Sequence, residues 1–257
     1  MSMPILAERL RKGETIYSGW VMMPDPLVAE TIARSGFDCV LLDMQHGLLD
    51  TGSVMTGISA IALAGKPAVV RIPLGDDATA SRVLDMGAEA IIAPMVNSVE
   101  QARMLAAVTK YPPLGERSWG PMRAMTLEGI DQPLDYLASA NQTGITLAMI
   151  ETRRALDALD AILAVDGIDG VFVGPFDLSV SLSAGRQVAP GDTSIDAPIK
   201  HIAERAEAAG KIAGIYAPTP ERARNFRDFG YRFIALAADQ TYLTYGAAEL
   251  LRSAREP

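Results

Sequence analysis

Short apolar runs alternate with helical patterns along this 257-residue chain, and this alternation restricts its fold more than any other feature. Each run is too short and too uniformly apolar to face water on one side, which is typical of strands in a buried parallel sheet. The sequence predicts eight such strands, at Ile16–Val21, Cys39–Asp43, Ala68–Ile72, Ala90–Ala93, Ile145–Ile150, Gly170–Val173, Ile212–Tyr216 and Phe233–Ala237.

The stretches between these runs have helical patterns, and most of them stop directly before a glycine, which supplies a left-handed helix cap. Ser98 and Gln101 predict a capping box at the start of one helix. The predicted helices are Pro26–Ser35, Ser53–Ala64, Ala78–Met86, Ser98–Thr109, Thr152–Ala164, Ile199–Ala209 and Thr219–Phe229.

Eight strand–helix alternations predict an α/β fold, a single (β/α)₈ TIM barrel over residues 1–257. A doubly wound open sheet is the alternative, but no glycine-rich dinucleotide fingerprint follows the first strand. The longest connection is Tyr111–Gly144, with a helical piece near Pro133–Ser139. We expect it at the C-terminal end of the barrel, after the fourth strand, where long loops usually have a function.

Composition and charge exclude several classes of protein. Hydrophobic residues make up 49% of the chain, which is enough for a large buried core, and the net charge of −8 argues against a nucleic-acid partner. The only cysteine, Cys39, permits no internal disulfide and is expected to be a buried structural thiol. The sequence has no signal peptide at its start and no apolar run of membrane-spanning length, so we expect a soluble cytoplasmic protein without a membrane partner.

Polar residues collect at the predicted ends of four strands, where barrel enzymes have their active sites. The second strand ends at Asp43 and His46, the third at Arg71, the fifth at Glu151 and the sixth at Asp177. We therefore expect these side chains to face one opening.

Glu151 and Asp177 are two carboxylates at neighbouring strand ends, without cysteine or histidine beside them. This combination suits a hard cation such as Mg²⁺ or Mn²⁺ and leaves coordination positions for water and a chelating substrate. The alternative interpretation is that each acid lies in solvent and caps the helix that follows it.

His46 suits proton transfer because imidazole titrates near neutral pH, and its position at a strand end beside Asp43 favours this role over that of an ordinary surface histidine. Arg71 lies between apolar residues, so it must meet an anionic substrate or form an ion pair with Asp43 or Glu151. His201, on a polar helix, is expected to be inert.

Gly174–Pro175 forces a turn after the sixth strand, and the backbone N–H groups of this turn, together with those of Phe176 and Asp177, could bind a carboxylate. An ordinary barrel turn is the alternative. Schiff-base chemistry is disfavoured because no lysine falls at the C-terminal end of a predicted strand. The lysines are Lys12, Lys66, Lys110, Lys200 and Lys211.

The chain resembles the metal-dependent pyruvate aldolases of the HpcH/HpaI aldolase/citrate lyase family. The resemblance covers nearly the whole chain, and the last of the matching stretches is the most specific. The stretches are LLDMQH, VVRIP, IIAPMVNSVEQA, YPPLGERSWGP, IETRRALDALDAIL and DGIDGVFVGPFDLSVSLS.

The resemblance implies a role for each matching residue. His46 matches the catalytic base, Arg71 the arginine that stabilises the enolate, and Asp85, otherwise an unremarkable acid near a helix end, the acid that tunes the histidine. Glu151 and Asp177 match the ligands of a divalent cation, Mg²⁺, Mn²⁺ or Co²⁺. The family fold is a (β/α)₈ barrel, assembled as a homotrimer or homohexamer, in which a C-terminal helix, here Thr241–Ala254, is exchanged between subunits.

We expect the substrates to be small molecules, a 2-oxo acid such as pyruvate or hydroxypyruvate and an aldehyde. Further expected substrate contacts are Trp20, Met149, Gly174, Pro175, Phe176 and Tyr216. Three residues depart from the family pattern and make the pocket bulkier and less polar: Gln45 replaces a glutamate, Met149 a glutamine and Phe176 a small residue. The alternatives are a CoA-thioester lyase of the same superfamily and a non-catalytic binding protein on a degenerate barrel.

Overall fold

The computed structural model describes residues 6–256, which form a closed barrel of eight parallel strands. Each strand pairs with the next along the chain, and the first pairs with the last, with Ile16 opposite Phe233. The strands are β1 Ile16–Val21, β2 Cys39–Asp43, β3 Ala68–Arg71, β4 Ala90–Ala93, β5 Ile145–Met149, β6 Gly170–Val173, β7 Ile212–Ala217 and β8 Phe233–Leu236. The predicted TIM barrel is confirmed, and the open doubly wound sheet is wrong.

Helices separate the strands and cover the outside of the barrel. They are α1 Leu6–Arg11, α2 Pro26–Arg34, α3 Thr51–Leu63, α4 Asp77–Asp85, α5 Val99–Thr109, α6 Met122–Glu128, α7 Pro133–Thr143, α8 Arg153–Asp157, α9 Leu159–Leu163, α10 Pro175–Leu182, α11 Asp196–Ala208, α12 Pro220–Asp228 and α13 Asp239–Arg255. Among residues 6–256 no helix is both long and apolar enough to cross a membrane.

Besides a small cluster within the Tyr111–Gly144 connection, two large apolar clusters make up the core. One lies between the strands and the surrounding helices, and the other fills the barrel itself. Alternate residues of each strand supply the two clusters, as at Val40 and Leu41 of β2, because successive side chains in a strand point to opposite faces. Leu6 and Leu10 of α1 belong to the inner cluster, so this helix closes the N-terminal end of the barrel, here called the base.

The predicted position of the Tyr111–Gly144 connection is wrong. Helix α5 follows β4 and leads the chain back to the base, so the connection lies there and not at the C-terminal end, here called the mouth. The Nζ atom of Lys110, directly before the connection, donates to the carbonyl of Gly144 at its end (2.6 Å) and to Asp169, directly before β6 (2.6 Å). The connection also contains α6, which the sequence pattern did not indicate.

Two local predictions also need correction. The predicted helix Thr152–Ala164 is two short helices, because the chain breaks at Ala158, whose backbone is not helical. Ser98 does cap α5, but the Gln101 side chain accepts from the N–H of Asn97 (2.7 Å), so there is no reciprocal capping box.

Cys39 is fully buried, as predicted for a structural thiol, and burial raises the pKa of its thiol to about 12. That residues 1–257 form a single domain stays a prediction, since residues 1–5 and 257 lie outside the described part. The predicted absence of a signal peptide concerns those first residues and lies outside it too.

Candidate active site

The predicted polar strand ends meet at the mouth of the barrel. Asp43 and Arg71 are the last residues of β2 and β3 and stand opposite each other in the strand register. Glu151 follows β5, and Asp177 lies in the first turn of α10, directly after β6. Because all eight strands are parallel, these four residues face the same end of the barrel.

Arg71 and Asp43 form a buried bidentate ion pair. Nε and Nη2 of Arg71 donate to the two carboxylate oxygens of Asp43 at 2.8 and 2.6 Å. Burial opposes ionisation of Asp43, but the bonds and charge of Arg71, together with the N–H groups of Gln45 and His46, outweigh it and lower the pKa of Asp43. The interpretation of Arg71 as one half of an ion pair is therefore confirmed, with Asp43 and not Glu151 as its partner.

The ion pair fixes the orientation of the arginine. Its guanidinium lies over the ring of Trp20, 4.6 Å from the centroid, and the indole N–H of Trp20 donates to Asp43 at 3.3 Å. Asp43 accounts for two donor atoms of the guanidinium and is its only hydrogen-bond partner among residues 6–256.

Glu151 is 1% exposed, and one of its oxygens accepts the backbone N–H of Met95 at 2.7 Å. Burial is the main reason that its pKa is raised to about 7, and the charge of Asp177 raises it further. The interpretation of Glu151 as a helix cap is wrong, because the hydroxyl of Thr152 caps α8. Asp177 does lie in the first turn of its helix and is exposed.

Gly174 leaves room for the Glu151 carboxylate. A β-carbon at this position would lie 2.5 Å from the second oxygen of Glu151 and 3.1 Å from the methyl carbon of Met149. Any side chain at residue 174 would therefore displace the carboxylate. Pro175 opens α10, so the turn contributes no N–H group there, and Gly174 and Pro175 are both buried.

Aromatic side chains form one wall of the mouth. The ring of Tyr216 packs edge-on against Trp20, with centroids 5.3 Å apart, and lies 5.9 Å from the ring of Phe176. Phe176 is 43% exposed. Burial raises the pKa of the Tyr216 hydroxyl, while the charge of Arg71 acts in the opposite direction, so this wall adjoins the arginine.

His46 is exposed on the loop that follows β2, and its backbone N–H donates to Asp43 at 3.3 Å. The side-chain oxygen of Gln45 beside it is buried and has no hydrogen-bond partner among residues 6–256. His201 is exposed on α11, and its lack of a catalytic role stays a prediction.

Asp85 is the one predicted catalytic residue that the chain does not bring to the mouth. It ends α4, which returns to the base, and there it forms an ion pair with Arg117 at 2.6 Å. Asp85 and His46 therefore lie at opposite ends of the same barrel.

The lysines also lie away from the mouth, as predicted. Lys66 precedes β3 and lines a cavity of about 560 Å³ at the base. Lys110 and Lys211 are bonded to groups at the same end, and Lys12 and Lys200 pair with acids one helical turn away on the surface. A Schiff base with a substrate held at the mouth is thus out of reach.

The model of the HpcH/HpaI aldolase/citrate lyase family matches residues 17–244, most of the chain. The chain belongs to this family. It is 41% identical to a hydroxypyruvate/pyruvate aldolase of Rhizorhabdus wittichii, over 95% of this chain and 96% of that protein. It is 38% identical to a 2-keto-3-deoxy-L-rhamnonate aldolase of Salmonella gallinarum, over 92% of this chain and 88% of that protein.

Solved structures of the HpcH/HpaI family have the same fold. A family protein from Burkholderia cenocepacia superposes with a TM-score of 0.87 at 30% identity, over 98% of this chain and 99% of that one. The citrate lyase beta subunit of M. tuberculosis, solved with oxaloacetate and magnesium, is more distant, with a TM-score of 0.56 and 19% identity, over 90% of this chain and 95% of that one.

Together with relatives named as aldolases at 41% and 38% identity, membership in the HpcH/HpaI family makes this protein a class II aldolase, a carbon–carbon lyase. The residue pattern alone had not excluded a non-catalytic binding protein. It also missed Met95, which contributes a backbone N–H, and Thr152, whose hydroxyl caps α8 and donates to Asn97. A polar residue directly after a strand-end acid was the only sequence signal for Thr152.

Proposed function

We propose that this aldolase forms the enolate of pyruvate or hydroxypyruvate and adds it to an aldehyde, and that it cleaves 4-hydroxy-2-oxo acids in reverse. The observation that carries the proposal is the buried Glu151 carboxylate beside Asp177, with Arg71 close enough for its charge to affect the pKa of Glu151. The names of the relatives from Rhizorhabdus wittichii and Salmonella gallinarum support both the 2-oxo acid and the aldol chemistry.

A divalent cation fits the pair of acids. Two carboxylates that repel each other, one of them buried, favour a positive ion between them, and oxygen ligands suit Mg²⁺, Mn²⁺ or Co²⁺. Gly174 leaves the second oxygen of Glu151 unobstructed, which supports the same assignment. A cation held there would act as a Lewis acid on the ketone of the 2-oxo acid and lower the pKa of the neighbouring C–H.

The remaining roles belong to the chain. Arg71 stabilises the oxyanion of the enolate with the donors that Asp43 leaves free, and its ion pair keeps it in place before the reaction begins. His46 takes the proton from the donor carbon, or from the 4-hydroxyl group in cleavage. Trp20 and Tyr216 exclude water from one side of the site.

The bulky, apolar residues at the mouth bear on substrate choice. Met149 is buried beside the carboxylate, and Phe176 lies half-exposed at the entrance, where it extends the aromatic wall. We propose that Phe176 faces the aldehyde and that Met149 lies near the donor, with Gly174 and Pro175 shaping the space between them.

We propose that α13 is exchanged between subunits of a homotrimer or homohexamer. Only Asp239 of this helix is buried within the chain, while its apolar residues Leu243, Tyr245, Leu250 and Leu251 are exposed, Leu250 by 74%. A second copy would cover that face. A subunit contact would also bring Asp85, at the base of one barrel, to His46 of another.

Light scattering on the wild type and on Leu250→Glu tests the proposed assembly. We expect a trimer or hexamer that the substitution splits, and a monomeric wild type would contradict the proposal.

A direct assay tests the proposed reaction. The protein is incubated with pyruvate or hydroxypyruvate and a series of aldehydes, with Mg²⁺, with Mn²⁺ or with a chelator, and 4-hydroxy-2-oxo acids are measured by NMR. Product that depends on the metal is expected. Full activity in the chelator, or cleavage of a CoA thioester without any aldol product, would overturn the proposal.

A further inference from the structure

Met95, which holds Glu151, has an unusual backbone conformation. Its φ angle is 56°, in the left-handed region that residues with a side chain rarely adopt. Such a conformation costs free energy and persists only where the surroundings impose it. Here it aims the N–H group at the Glu151 carboxylate, 2.7 Å away.

The side chain of Asn97 is bonded to the backbone of Met95. Its amide N–H donates to the carbonyl oxygen of Met95 at 2.8 Å. Its amide oxygen accepts the hydroxyl of Thr152, the residue directly after Glu151. One amide thus ties the loop after β4 to the chain on the far side of the carboxylate.

Thr152 is fixed in turn, because its hydroxyl oxygen accepts the N–H of Ala155 at 3.0 Å as the cap of α8. The path from Asn97 to Glu151 therefore has two branches, one through Met95 and one through Thr152. The first branch reaches the carboxylate itself through the Met95 N–H, and the second reaches the Glu151 backbone through the peptide bond to Thr152. The carboxylate therefore cannot turn away without losing its bond to Met95.

We propose that Asn97 is a positioning residue that holds the Glu151 carboxylate ready for the divalent cation. The inference rests on the proposed function, since it takes Glu151 as a metal ligand. Without the amide, Met95 relaxes to an ordinary conformation, its N–H turns away, and Glu151 loses its hydrogen bond and its fixed direction. Groups that orient a metal ligand in this way are worth about 10- to 100-fold in metal affinity.

Asn141 is a matched control. Its side-chain oxygen accepts the N–H of Tyr111 at 2.7 Å, and its amide N–H donates to the carbonyl of the same residue at 2.9 Å. Like Asn97, Asn141 uses its side-chain amide to bridge two other groups, but it lies at the base. Asn141→Ala should lower the melting temperature and leave metal binding unchanged.

The test measures Mn²⁺ binding to the full chain by electron paramagnetic resonance, without substrate, for the wild type, Asn97→Ala, Asn141→Ala and Glu151→Ala. Asn97→Ala should raise the Mn²⁺ dissociation constant about tenfold or more. A constant within twofold of the wild type, or an equal change in Asn141→Ala, overturns the proposal. If Glu151→Ala keeps normal Mn²⁺ affinity, the metal site itself is wrong, which separates the two failures.

A second pair of variants decides the matter if Asn97→Ala does not fold. Thr152→Ser keeps the hydroxyl that reaches Asn97 and caps α8, so it should bind Mn²⁺ as the wild type does. Thr152→Val keeps the shape and loses the hydroxyl, so its affinity should fall several-fold. Equal affinities in the two variants would overturn the proposal.

Discussion

Two buried cations at opposite ends of the barrel show how its ends differ. Lys110, at the base, is 2% exposed, and its ammonium donates to the carbonyls of Asn141 and Gly144 and to the carboxylate of Asp169. Arg71, at the mouth, is 7% exposed and pairs with Asp43 alone among residues 6–256.

The difference lies in how many donors have a partner. An ammonium has three N–H donors, so Lys110 is fully satisfied and has none left for a ligand. A guanidinium has five, and Asp43 occupies only two of its nitrogen atoms. A buried cation with all donors paired has only a structural role, whereas one with donors to spare, facing an opening, is also available to an anion.

The largest expected difference is between variants of the carboxylates at the mouth and at the base. Glu151→Ala and Asp177→Ala should abolish metal-dependent aldol activity without unfolding the protein, because each removes a proposed metal ligand. Asp169→Asn, at the base, should lower the melting temperature and keep the turnover of the folded protein. Metal content and turnover, with and without chelator, check this prediction, and activity of Glu151→Ala near that of the wild type would refute it.

His46→Ala should lower aldol cleavage by about 10²- to 10⁴-fold, the usual contribution of a positioned general base. The side chain is exposed, so its loss should not affect folding. His201→Ala, which removes an exposed histidine from α11, is the control and should change nothing. Equal turnover in the two variants would mean that the base is another group.

The next prediction compares the loss of the two buried cations, Arg71 at the mouth and Lys110 at the base. Arg71→Met should lower kcat by about 10²- to 10³-fold, with a smaller change in KM, because its free donors act on a charge that develops in the transition state. Lys110→Met should cost about 3 kcal/mol of unfolding free energy, since it removes the ammonium from the Asp169 carboxylate and from two carbonyls, and should keep kcat. Both variants should lose stability, since each breaks a buried ion pair, but only Arg71→Met should lose kcat. Urea unfolding and steady-state kinetics measure both, and an unchanged kcat in Arg71→Met or a lowered one in Lys110→Met would remove the contrast.

The smallest expected effect concerns pH. The pKa of Asp43 is lowered from its ordinary value of 3.8, so its ion pair contributes stability that is fully present above about pH 3.8 and is lost as pH falls through the lowered value. Asp43→Asn should therefore be less stable than the wild type by about 3 kcal/mol at both pH 7 and pH 5, with the gap closing only below pH 3.8. Urea titrations at pH 7, 5 and 3 measure the gap, and one that closes already at pH 5 would contradict the assignment.

Most of the fold was predictable because its determinants are local in sequence. The apolar runs place all eight strands to within one residue at either end, as at β5, where Ile145–Ile150 was expected and Ile145–Met149 observed. The Tyr111–Gly144 connection was assigned to the wrong end, because the direction of α5 was left out of the inference. Helix α1 escaped notice, since its six residues are too few for a periodic pattern.

The site was predictable as far as it consists of side chains at strand ends. Arg71 and Glu151 were found in this way, and the sequence left the partner of Arg71 open because a strand register decides it. Asp85 shows the limit of prediction from sequence. Its match to the family implies that it tunes the catalytic histidine, but within one chain it contacts Arg117 at the other end of the barrel. The N–H of Met95 could not be predicted, because its direction depends on a left-handed conformation that the sequence does not signal.

Exchange of solvent deuterium into the methyl group of pyruvate tests the central claim most directly, because it reports enolate formation without any aldehyde. The wild type should catalyse the exchange with Mg²⁺ or Mn²⁺ and stop in chelator, Arg71→Met should be slower by about 10²-fold or more, and Lys110→Met should exchange at the wild-type rate. Undiminished exchange in Arg71→Met, or exchange by the wild type in chelator, would contradict the account of the mouth as a metal-dependent enolate site.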